Sequence, residues 1–496
     1  MLSSVPIIPH LTSDATPAQI ASAEQLAEAI RRERPELASD DRFRPLVATS
    51  LDDGACLHLD DLSEIKFLQD PEDLVFFQER ARLRAGDGDL IATTTSQVAG
   101  YESYCAERLG LGHAEWLRPK PTRNPLQIGH ACWEDRAVRR SLLHRLRADQ
   151  LRYLHPHMGT LGVWELGTLL HEHSRRPLSV IAPPPALSQL VNNKVAFAEI
   201  AARLLGAHKI PATASAWNLA TLCDRISKMA PSTRLIGIKP PDSAGGDAIA
   251  VIPAERLQNR SLHDIQDDVR PILEKLGWSG ESELLINVWE TGVLSSPSIQ
   301  TWIPPESSGL PVVEGVFVQR LEQDTGVFVG ATAANFPRDV TQELATSSWL
   351  LARVFQRLGY IGRCSFDTIL IGDSEESARI EFIECNGRWG GTSLPMTLIN
   401  RLFADWIKQP FAVQNIELEG LSEISFSCLL ERLDSELYNA RTGTGRLILL
   451  TPGRLHHQSG ITALALGKTW DEAAAYLQNS VTTLLKEAVA GESIAH

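Results

Sequence analysis

The sequence lacks any apolar run close to the ~20 residues that a membrane-spanning helix needs. It also lacks a long basic run, and the formal net charge of the chain is −14. These absences argue against nucleic acid or an anionic membrane as the main partner. The first residues, MLSSVPIIPHLTSDATPAQ, have neither a basic start nor a sustained apolar core. We therefore expect no signal peptide, and the predicted location is the cytoplasm.

Cysteine is scarce, and its seven positions form no C-x-x-C pair. The sequence therefore predicts reduced thiols, not a disulfide framework or a zinc site. Two histidine pairs, HPH (155–157) and HEH (171–173), could suggest a metal. Because the histidines of HEH would not share a face of a helix, we interpret both pairs as surface or core residues.

The first third of the chain alternates short apolar runs with helical patterns. A helix is predicted over 17–34, with Pro17 near its start and basic residues at its end. From about 88 to 190, the segments DLIATTT, HAEWLRP and PLSVIAPPP indicate strands, and the stretches between them indicate helices. This alternation is typical of βαβ units and predicts an α/β domain with a parallel sheet.

The second region begins after PPPALSQLVNNK, which is the first clear joint in the chain. A helix follows, and STRLIGIKPPDSAGGDAIAVI then predicts a strand, a Gly-rich loop and a second strand. ESELLINVWETG indicates a further strand, and SWLLARVFQRLGY an amphipathic helix. CSFDTILI and ARIEFIEC, joined by GDSEES, predict a hairpin, and from about 420 a smaller α+β pattern closes the chain.

The predicted hairpin carries the strongest chemical signal. Side chains two apart on a strand share a face, so Glu384 and Asn386 point the same way, and Arg388 continues that row if the strand persists. If Asp367 lies opposite Glu384, the polar groups gather at one end of one face. An Asp, a Glu and an Asn converging there suit Mg²⁺, which takes oxygen ligands. The alternative is a solvated hairpin end.

Two lysines add weaker signals. Lys239 ends a strand beside the loop that contains Gly245 and Gly246, and such a loop lets backbone N–H groups approach phosphate oxygens. An ordinary hairpin turn explains the same glycines. Lys194 opens a helix, where its charge opposes the macrodipole, so it has an anionic partner or is simply exposed. GKT (467–469) is not part of a phosphate loop, because Thr462 stands where that motif requires glycine.

Taken in order, these residues resemble the ATP-grasp superfamily. The matching features are a helix-opening Lys194, Lys239 with its Gly-rich loop, the hinge strand LLINVWETG, Asp367 and the segment ECNGR. The resemblance covers about residues 188–405. The flanks resemble the pheganomycin-type peptide ligases, on the basis of LIATTTSQVAGYESY, LVNNK and RLILLTPG…GITALALG. The resemblance to these families implies a Rossmann-like domain over 1–187, an ATP-grasp domain over 188–418 with a lid at about 210–290, and a small α+β domain over 419–496.

The resemblance also implies roles for single residues. Lys194 and Lys239 would contact ATP phosphates, Gly245 and Gly246 would lie in a mobile loop over them, and the backbone of Val288 and Glu290 would hold adenine. Asp367, Glu384 and Asn386 would bind Mg²⁺ (or Mn²⁺). Arg388 would stabilise the acyl phosphate and its transition state, and Lys239 would also take part in catalysis. The family often places a glutamate after the hinge for the ribose, whereas VLSSPSIQTW has no acidic residue.

The implied activity joins a small carboxylic acid, such as an amino acid, to an amine through an acyl phosphate. A homodimer and a role in natural-product biosynthesis are further implications of the resemblance. Two alternatives stay open. One is a non-catalytic nucleotide-binding protein, and the other is another acyl-phosphate enzyme, such as a biotin-carboxylase-like carboxylase. The second has less support, because the sequence has no biotinyl domain with a Met-Lys-Met motif.

Overall fold

The computed structural model describes residues 5–38, 40–65, 70–243, 249–280, 282–322 and 327–491. Its strands fall into a five-stranded, a four-stranded and a nine-stranded sheet. The strands are β1 (Cys56–Leu59), β2 (Leu90–Ala92), β3 (Glu115–Leu117), β4 (Tyr153–Pro156), β5 (Ser179–Val180), β6 (Thr213–Ala216), β7 (Leu235–Lys239), β8 (Ala250–Pro253), β9 (Leu284–Val288), β10 (Val293–Ser295), β11 (Pro297–Ile303), β12 (Val312–Leu321), β13 (Phe328–Ala333), β14 (Gly362–Ile371), β15 (Arg379–Asn386), β16 (Phe411–Glu417), β17 (Leu447–Leu450) and β18 (Gly460–Leu466).

Helices cover the faces of these sheets. The α-helices are α1 (Pro17–Glu33), α2 (Tyr101–Ser103), α3 (Ile128–Glu134), α4 (Arg136–Arg147), α5 (Leu161–Ser174), α6 (Pro185–Asn192), α7 (Lys194–Leu205), α8 (Leu219–Met229), α9 (Leu262–Lys275), α10 (Arg338–Leu358), α11 (Ser393–Phe403), α12 (Phe426–Arg432), α13 (Arg454–Gln458), α14 (Trp470–Tyr476) and α15 (Thr482–Ala490). Turns of 3₁₀ helix run over Pro71–Arg84. Neither α10, the longest of these helices, nor any other helix in the described ranges is both long and apolar enough to cross a bilayer.

The five-stranded sheet has the order β3-β2-β1-β4-β5, and every neighbouring pair is parallel. This is the strand order of a Rossmann-like sheet, so the predicted parallel-sheet domain is confirmed. Helix α4 packs on it through Val138, Leu142 and Leu146, which lie four residues apart on one helix face. Strands β2, β3 and β5 were predicted from the sequence, whereas β1 and β4, each with a histidine among its four residues, were not.

The four-stranded sheet has the antiparallel order β6-β9-β7-β8, and its apolar face packs against α8 and α9. The segment from β6 to β9 lies within the predicted lid range of about 210–290. The strand–loop–strand prediction around Lys239 is also confirmed, because β7 pairs with β8. The exact domain boundaries predicted from the sequence stay predictions.

The nine-stranded sheet contains the predicted hairpin and the last strands of the chain. Its order is β10-β14-β11-β12-β13-β16-β18-β17, and β15 pairs with β14 beside this path. Helices α1, α7 and α10 share a buried cluster with β14 and β15. Strands β16 to β18 continue the same sheet, so the α+β pattern at the C-terminal end packs on an edge that it extends. The neighbouring strands and these helices therefore support the β14–β15 hairpin.

Candidate active site

A cleft of about 1030 Å³ opens between the three sheets. Its walls include residues of the lid strands, the hairpin, the 3₁₀ segment and the β17–α13 turn. The predicted site residues that the structure describes all line this one cleft: Lys194, Lys239, Val288, Glu290, Asp367, Glu384, Asn386 and Arg388. Gly245 and Gly246 lie outside the described residues. The structure thus brings together residues from four separate stretches of the sequence.

The β14–β15 hairpin has the predicted register. Asp367 pairs with Glu384 and Ser365 with Asn386, and a bulge follows directly after Asp367. The carboxylates therefore share one face, and both line the cleft. Cys385, between the two polar positions, is 3% exposed and packs on the other face. This placement confirms the prediction that Cys385 is a packed thiol.

Asp367 is held by two neighbouring strands. Ser298 Oγ on β11 donates to Asp367 Oδ1 at 2.6 Å, and Asn386 Nδ2 donates to Asp367 Oδ2 at 2.8 Å. Burial, with the nearby negative charge of Glu384, raises the pKa of Asp367 to about 6. Two carboxylates in one low-dielectric corner repel each other, and a cation between them would relieve that repulsion.

Glu384 lies against two lysines. Lys194 Nζ is 3.0 Å from Glu384 Oε2 and also donates to the carbonyl of Ser243. Burial alone would raise the pKa of Glu384, but Lys194 and then Lys239 bring that pKa below its ordinary value. Burial lowers the pKa of Lys239 to about 8, against the opposing effect of Glu384. Lys194, which opens α7, thus has the anionic partner that a lysine at a helix start requires.

Arg388 is positioned by a residue that the sequence analysis missed. Asn192, at the end of α6, accepts through Oδ1 from Gly387 N at 3.0 Å and from Arg388 Nη1. A Cβ at position 387 would lie 2.5 Å from Val191 Cγ2, which explains the glycine of ECNGR. Burial lowers the pKa of Arg388. The cation is therefore fixed at the hairpin end by the segment directly before Lys194.

The hinge after β9 is already bonded through part of its main chain. Val288 N donates to Ala212 O at 2.9 Å, and Asn287 Nδ2 donates to Val288 O at 2.7 Å. Glu290 forms a 3.1 Å ion pair with Arg379. Both polar main-chain groups of Val288 therefore have protein partners, so an adenine base would have to compete with these hydrogen bonds. The role of Val288 in holding adenine stays a prediction.

The wall opposite the hairpin carries cations that no sequence pattern indicated. Arg80 comes from the parallel-sheet side, and Arg454 begins α13. His157 also lines this wall, but burial lowers the pKa of its ring well below the ordinary value, so the ring is neutral. Burial lowers the pKa of Arg80 to about 10, and Asp60 opposes that change. Arg454 Nη2 lies 3.0 Å from Glu417 Oε1. This wall suits an anionic part of a substrate, and its residues were missed because they come from distant segments.

No protein-family model and no curated protein sequence matches the chain. Many solved structures resemble it over most of its length, and three of them are described below. A biotin carboxylase domain of 2-oxoglutarate carboxylase from Hydrogenobacter thermophilus is 11% identical, with 86% of this chain and 89% of that chain covered and a TM-score of 0.50. An N5-carboxyaminoimidazole ribonucleotide synthetase, solved with ADP, is 12% identical, with 89% and 99% covered and a TM-score of 0.52.

A biotin carboxylase from Campylobacter jejuni is 10% identical, with 86% of this chain and 90% of that chain covered and a TM-score of 0.50. At these identities the likeness concerns the fold, and that fold is ATP-grasp. The predicted ATP-grasp fold behind a parallel-sheet domain is therefore confirmed. The nearer resemblance to pheganomycin-type ligases stays a prediction.

Proposed function

We propose that the protein is an ATP-dependent ligase that forms ADP, activates a carboxylate as an acyl phosphate and joins it to an amine. One observation carries the proposal. Asp367, Glu384 and Asn386 share one hairpin face, between two lysines and Arg388, in a cleft large enough for a nucleotide and a second small molecule. The ATP-grasp fold supports the proposal, because this arrangement would suit the transfer of a phosphoryl group from ATP.

The nucleotide would lie between the lid sheet and the hairpin. Lys194 would leave part of its contact with Glu384, and both Lys194 and Lys239 would bind phosphate oxygens, since both residues line the cleft. The adenine would lie against the hinge, where Glu290 offers main-chain groups. Gly245 and Gly246 would lie in the loop over the phosphates, as the sequence predicts.

The carboxylate pair fits a divalent cation. Asp367 and Glu384 provide oxygen atoms on one face, and Asn386 would provide an amide oxygen after rotation of its side chain. Burial and the negative charge of Glu384 raise the pKa of Asp367, and a cation would relieve the repulsion between the two carboxylates. Such a donor set suits Mg²⁺ or Mn²⁺. When bound, the ion would offset the negative charge of the ATP phosphates.

The chain's own groups support both steps of the reaction. A carboxylate oxygen of the acid attacks the γ-phosphorus, the bond to the β-phosphate oxygen breaks, and Arg388 lies where it can hold the oxygens of the new acyl phosphate. The amine then attacks the acyl carbon, phosphate leaves, and the amine loses a proton. Asn192 keeps the guanidinium in place throughout. A closed lid would keep water from the intermediate.

A second candidate differs in the acid. The fold neighbours with the cited likeness include biotin carboxylases, one of them solved with bicarbonate. Bicarbonate in the place of the organic acid would make the protein a carboxylase that works through carboxyphosphate. The absence of a Met-Lys-Met motif from the sequence makes a self-contained biotin carrier unsupported. A homodimer, amino-acid substrates and a biosynthetic role belong to the proposal as implications of the nearer resemblance.

The test is ADP release from the purified chain with Mg·ATP. Amino and guanidino acids are supplied singly and in pairs, in buffer either stripped of bicarbonate or supplemented with it, and products are identified by mass spectrometry. Release that needs a pair, with a product lighter than the sum of the two by one water, would support the ligase. Release that needs bicarbonate would favour the carboxylase. Nucleotide-induced thermal stabilisation without release from any mixture would favour the non-catalytic alternative.

A further inference from the structure

A second cluster of chemically reactive side chains lies inside the parallel sheet, away from the hairpin. Cys56 and His58 are two apart on β1 and share a face, and His155 on β4 lies directly beside His58 in the parallel register. All three side chains are fully buried. One ligating atom of each, a sulfur and two ring nitrogens, lies within 4.8 Å of the other two.

The histidines of this cluster lack the partners that buried polar atoms normally have. Among the residues that the structure describes, neither ring nitrogen of His155 has a hydrogen-bond partner, and Nδ1 of His58 has none. The thiol of Cys56 has only a long contact of 3.6 Å with Gly54 O. A buried polar group without a partner is destabilising, so three such nitrogens in one place call for a common partner.

Asp89 fixes the orientation that a metal ligand needs. Its Oδ2 lies 3.2 Å from His58 Nε2, and its Oδ1 accepts from Cys56 N at 2.7 Å. Because a carboxylate accepts hydrogen bonds, the proton of the ring is on Nε2, and the lone pair of the unpartnered Nδ1 stays available to a ligand. A carboxylate behind a ligating histidine is the usual support of a metal site.

The charges around the cluster leave room for a dication. Two arginines lie near His155, but Arg84 is 2.5 Å from Asp60 and Arg363 is paired with Glu314. Asp89 contributes one negative charge and a Cys56 thiolate would contribute a second. Arg401, which also acts on His58, donates to the main-chain carbonyls of Leu83, Ala85 and Leu111. The two negative charges would offset the charge of a divalent cation, which lowers the cost of burying it.

We propose that Cys56, His58 and His155 form a binding site for zinc or a similar divalent transition-metal ion. One thiolate and two imidazoles select a borderline-soft cation, in contrast to the all-oxygen hairpin site. Zinc binds nitrogen at about 2.0–2.1 Å and sulfur at about 2.3 Å, so the ligand atoms would draw together by about 1 Å. A solvent molecule would complete the tetrahedron.

The location gives such an ion a structural role. It would join the two central strands of the parallel sheet at the face that meets the large sheet, where the His155 ring contacts Trp302 and Trp389. Trp389 follows Arg388, and the main-chain N–H of Trp389 donates to the main-chain carbonyl of His157 at 3.0 Å. The ion would therefore stabilise the junction on which the end of the hairpin rests. The inference does not depend on which reaction the cleft performs.

The experiment uses the full chain, dialysed against a chelator and titrated with Co²⁺ in the presence of excess Mg²⁺. One bound equivalent is expected, with the visible bands of a four-coordinate ion and a near-ultraviolet sulfur-to-cobalt charge-transfer band. Zn²⁺ should displace it stoichiometrically. Binding of less than a tenth of an equivalent, or binding without the charge-transfer band, would overturn the proposal.

Variants assign the ligands. Cys56→Ser should remove the charge-transfer band, and His155→Gln should weaken Co²⁺ binding by about tenfold or more. Cys132→Ser is the matched control, since Cys132 is an equally buried thiol in the cluster on the other face of the sheet. An unchanged spectrum in folded Cys56→Ser would contradict the site. If that variant does not fold, zinc-edge X-ray absorption of the zinc-loaded wild-type chain decides, because one sulfur and two imidazole nitrogens are required.

Discussion

The β14–β15 hairpin and the β1–β4 strand pair both gather titratable side chains on one face of a sheet, but they compensate them differently. In the hairpin, Asp367 accepts from Ser298 and Asn386, and Glu384 contacts Lys194. In the strand pair, both nitrogens of His155 lack a partner within the described ranges. The hairpin opens into the cleft, whereas the strand pair is sealed.

The difference shows how a site for an exchanging ligand differs from a site for a resident ion. Groups that must release a nucleotide and metal at each turnover need protein partners in the meantime, because unpaired charges in a cleft are costly. Lys194 and Glu384 are such partners for each other. Groups that hold a permanent ion need none, since the ion itself satisfies them. Substitutions that remove these protein partners test the contrast.

Glu384→Gln should have the largest effect. It removes the charge that compensates two lysines and provides an oxygen for the cation, so ADP formation should fall by about 10²–10³-fold, the range found when a stabilising group is removed from an active site. ADP is measured by a coupled assay at saturating Mg·ATP. Glu375→Gln, in the exposed turn of the same hairpin, is the matched control. Equal loss in both variants would show damage to the hairpin fold instead of loss of a site.

Glu79→Gln separates burial from ligand binding. Glu79 is 2% exposed, accepts from Gly453 N at 2.9 Å, and burial raises its pKa from 4.5 to about 8. The folded state therefore keeps a proton that the unfolded state releases, and stability is lost as pH rises through that range. Relative to Glu79→Gln, the wild type should lose up to about 3 kcal/mol between pH 6 and pH 9, at about 1.4 kcal/mol per unit of pKa.

Urea unfolding at both pH values measures this change for Glu79→Gln. Glu72→Gln, an exposed carboxylate in the same 3₁₀ segment, should keep the pH dependence of the wild type. Parallel pH curves for wild type and Glu79→Gln would contradict the assignment. A raised pKa with no ligand nearby would then affect stability alone, whereas the raised pKa of Asp367 should also affect cation binding.

The hairpin could be predicted from the sequence because its information is local. The alternation of polar and apolar residues in IEFIECN and the short connection after CSFDTILI predict the hairpin and the residues of each strand that share a face. The structure has the register in which Asp367 lies opposite Glu384. Lys194 and Lys239 were found through the order of the family's features. The ATP-grasp fold could be predicted for the same reason.

The remaining parts of the site could not be predicted because they depend on pairings between distant segments. His58 and His155 lie in short strands that give little periodic signal, and nothing local indicates that β1 and β4 are neighbours. The C-x-x-C rule, which led us to expect no zinc site, detects only ligands close together in sequence. Arg80 and Arg454 lie on the same wall of the cleft although they come from distant segments of the sequence. Asn192 stood in the quoted LVNNK, but its orientation depends on the hairpin end.

Asn192→Ala should have an intermediate effect. Its Oδ1 holds both Gly387 N and the Arg388 guanidinium, so its loss should lower kcat for ADP formation by about tenfold, equivalent to about 1.4 kcal/mol of barrier height, without a change in KM for ATP. Gln189→Ala, at an exposed position of the same helix, should leave both constants unchanged. A rise in KM for ATP with unchanged kcat would show that Asn192 acts on the nucleotide and not on Arg388.

Ser298→Ala should have the smallest effect and the most specific signature. The Ser298 hydroxyl stabilises ionised Asp367 from a neighbouring strand, so its removal should raise the pKa of Asp367 above about 6. A hydrogen bond to a charged carboxylate contributes about 1.5 kcal/mol or more, which corresponds to about one pKa unit. At pH 6 the Mg²⁺ concentration for half-maximal ADP formation should therefore rise about fivefold.

At pH 8 the difference for Ser298→Ala should vanish, because Asp367 is ionised with or without the hydroxyl. Ser295→Ala, on the adjoining strand β10, is the control at both pH values. A shift of the same size at pH 8 would mean that Ser298 orients the hairpin instead of tuning the carboxylate. Cation binding at the hairpin would then depend on the positions of its side chains more than on their charge, as is expected of the buried strand pair. The two clusters would differ only in whether a resident ion is present.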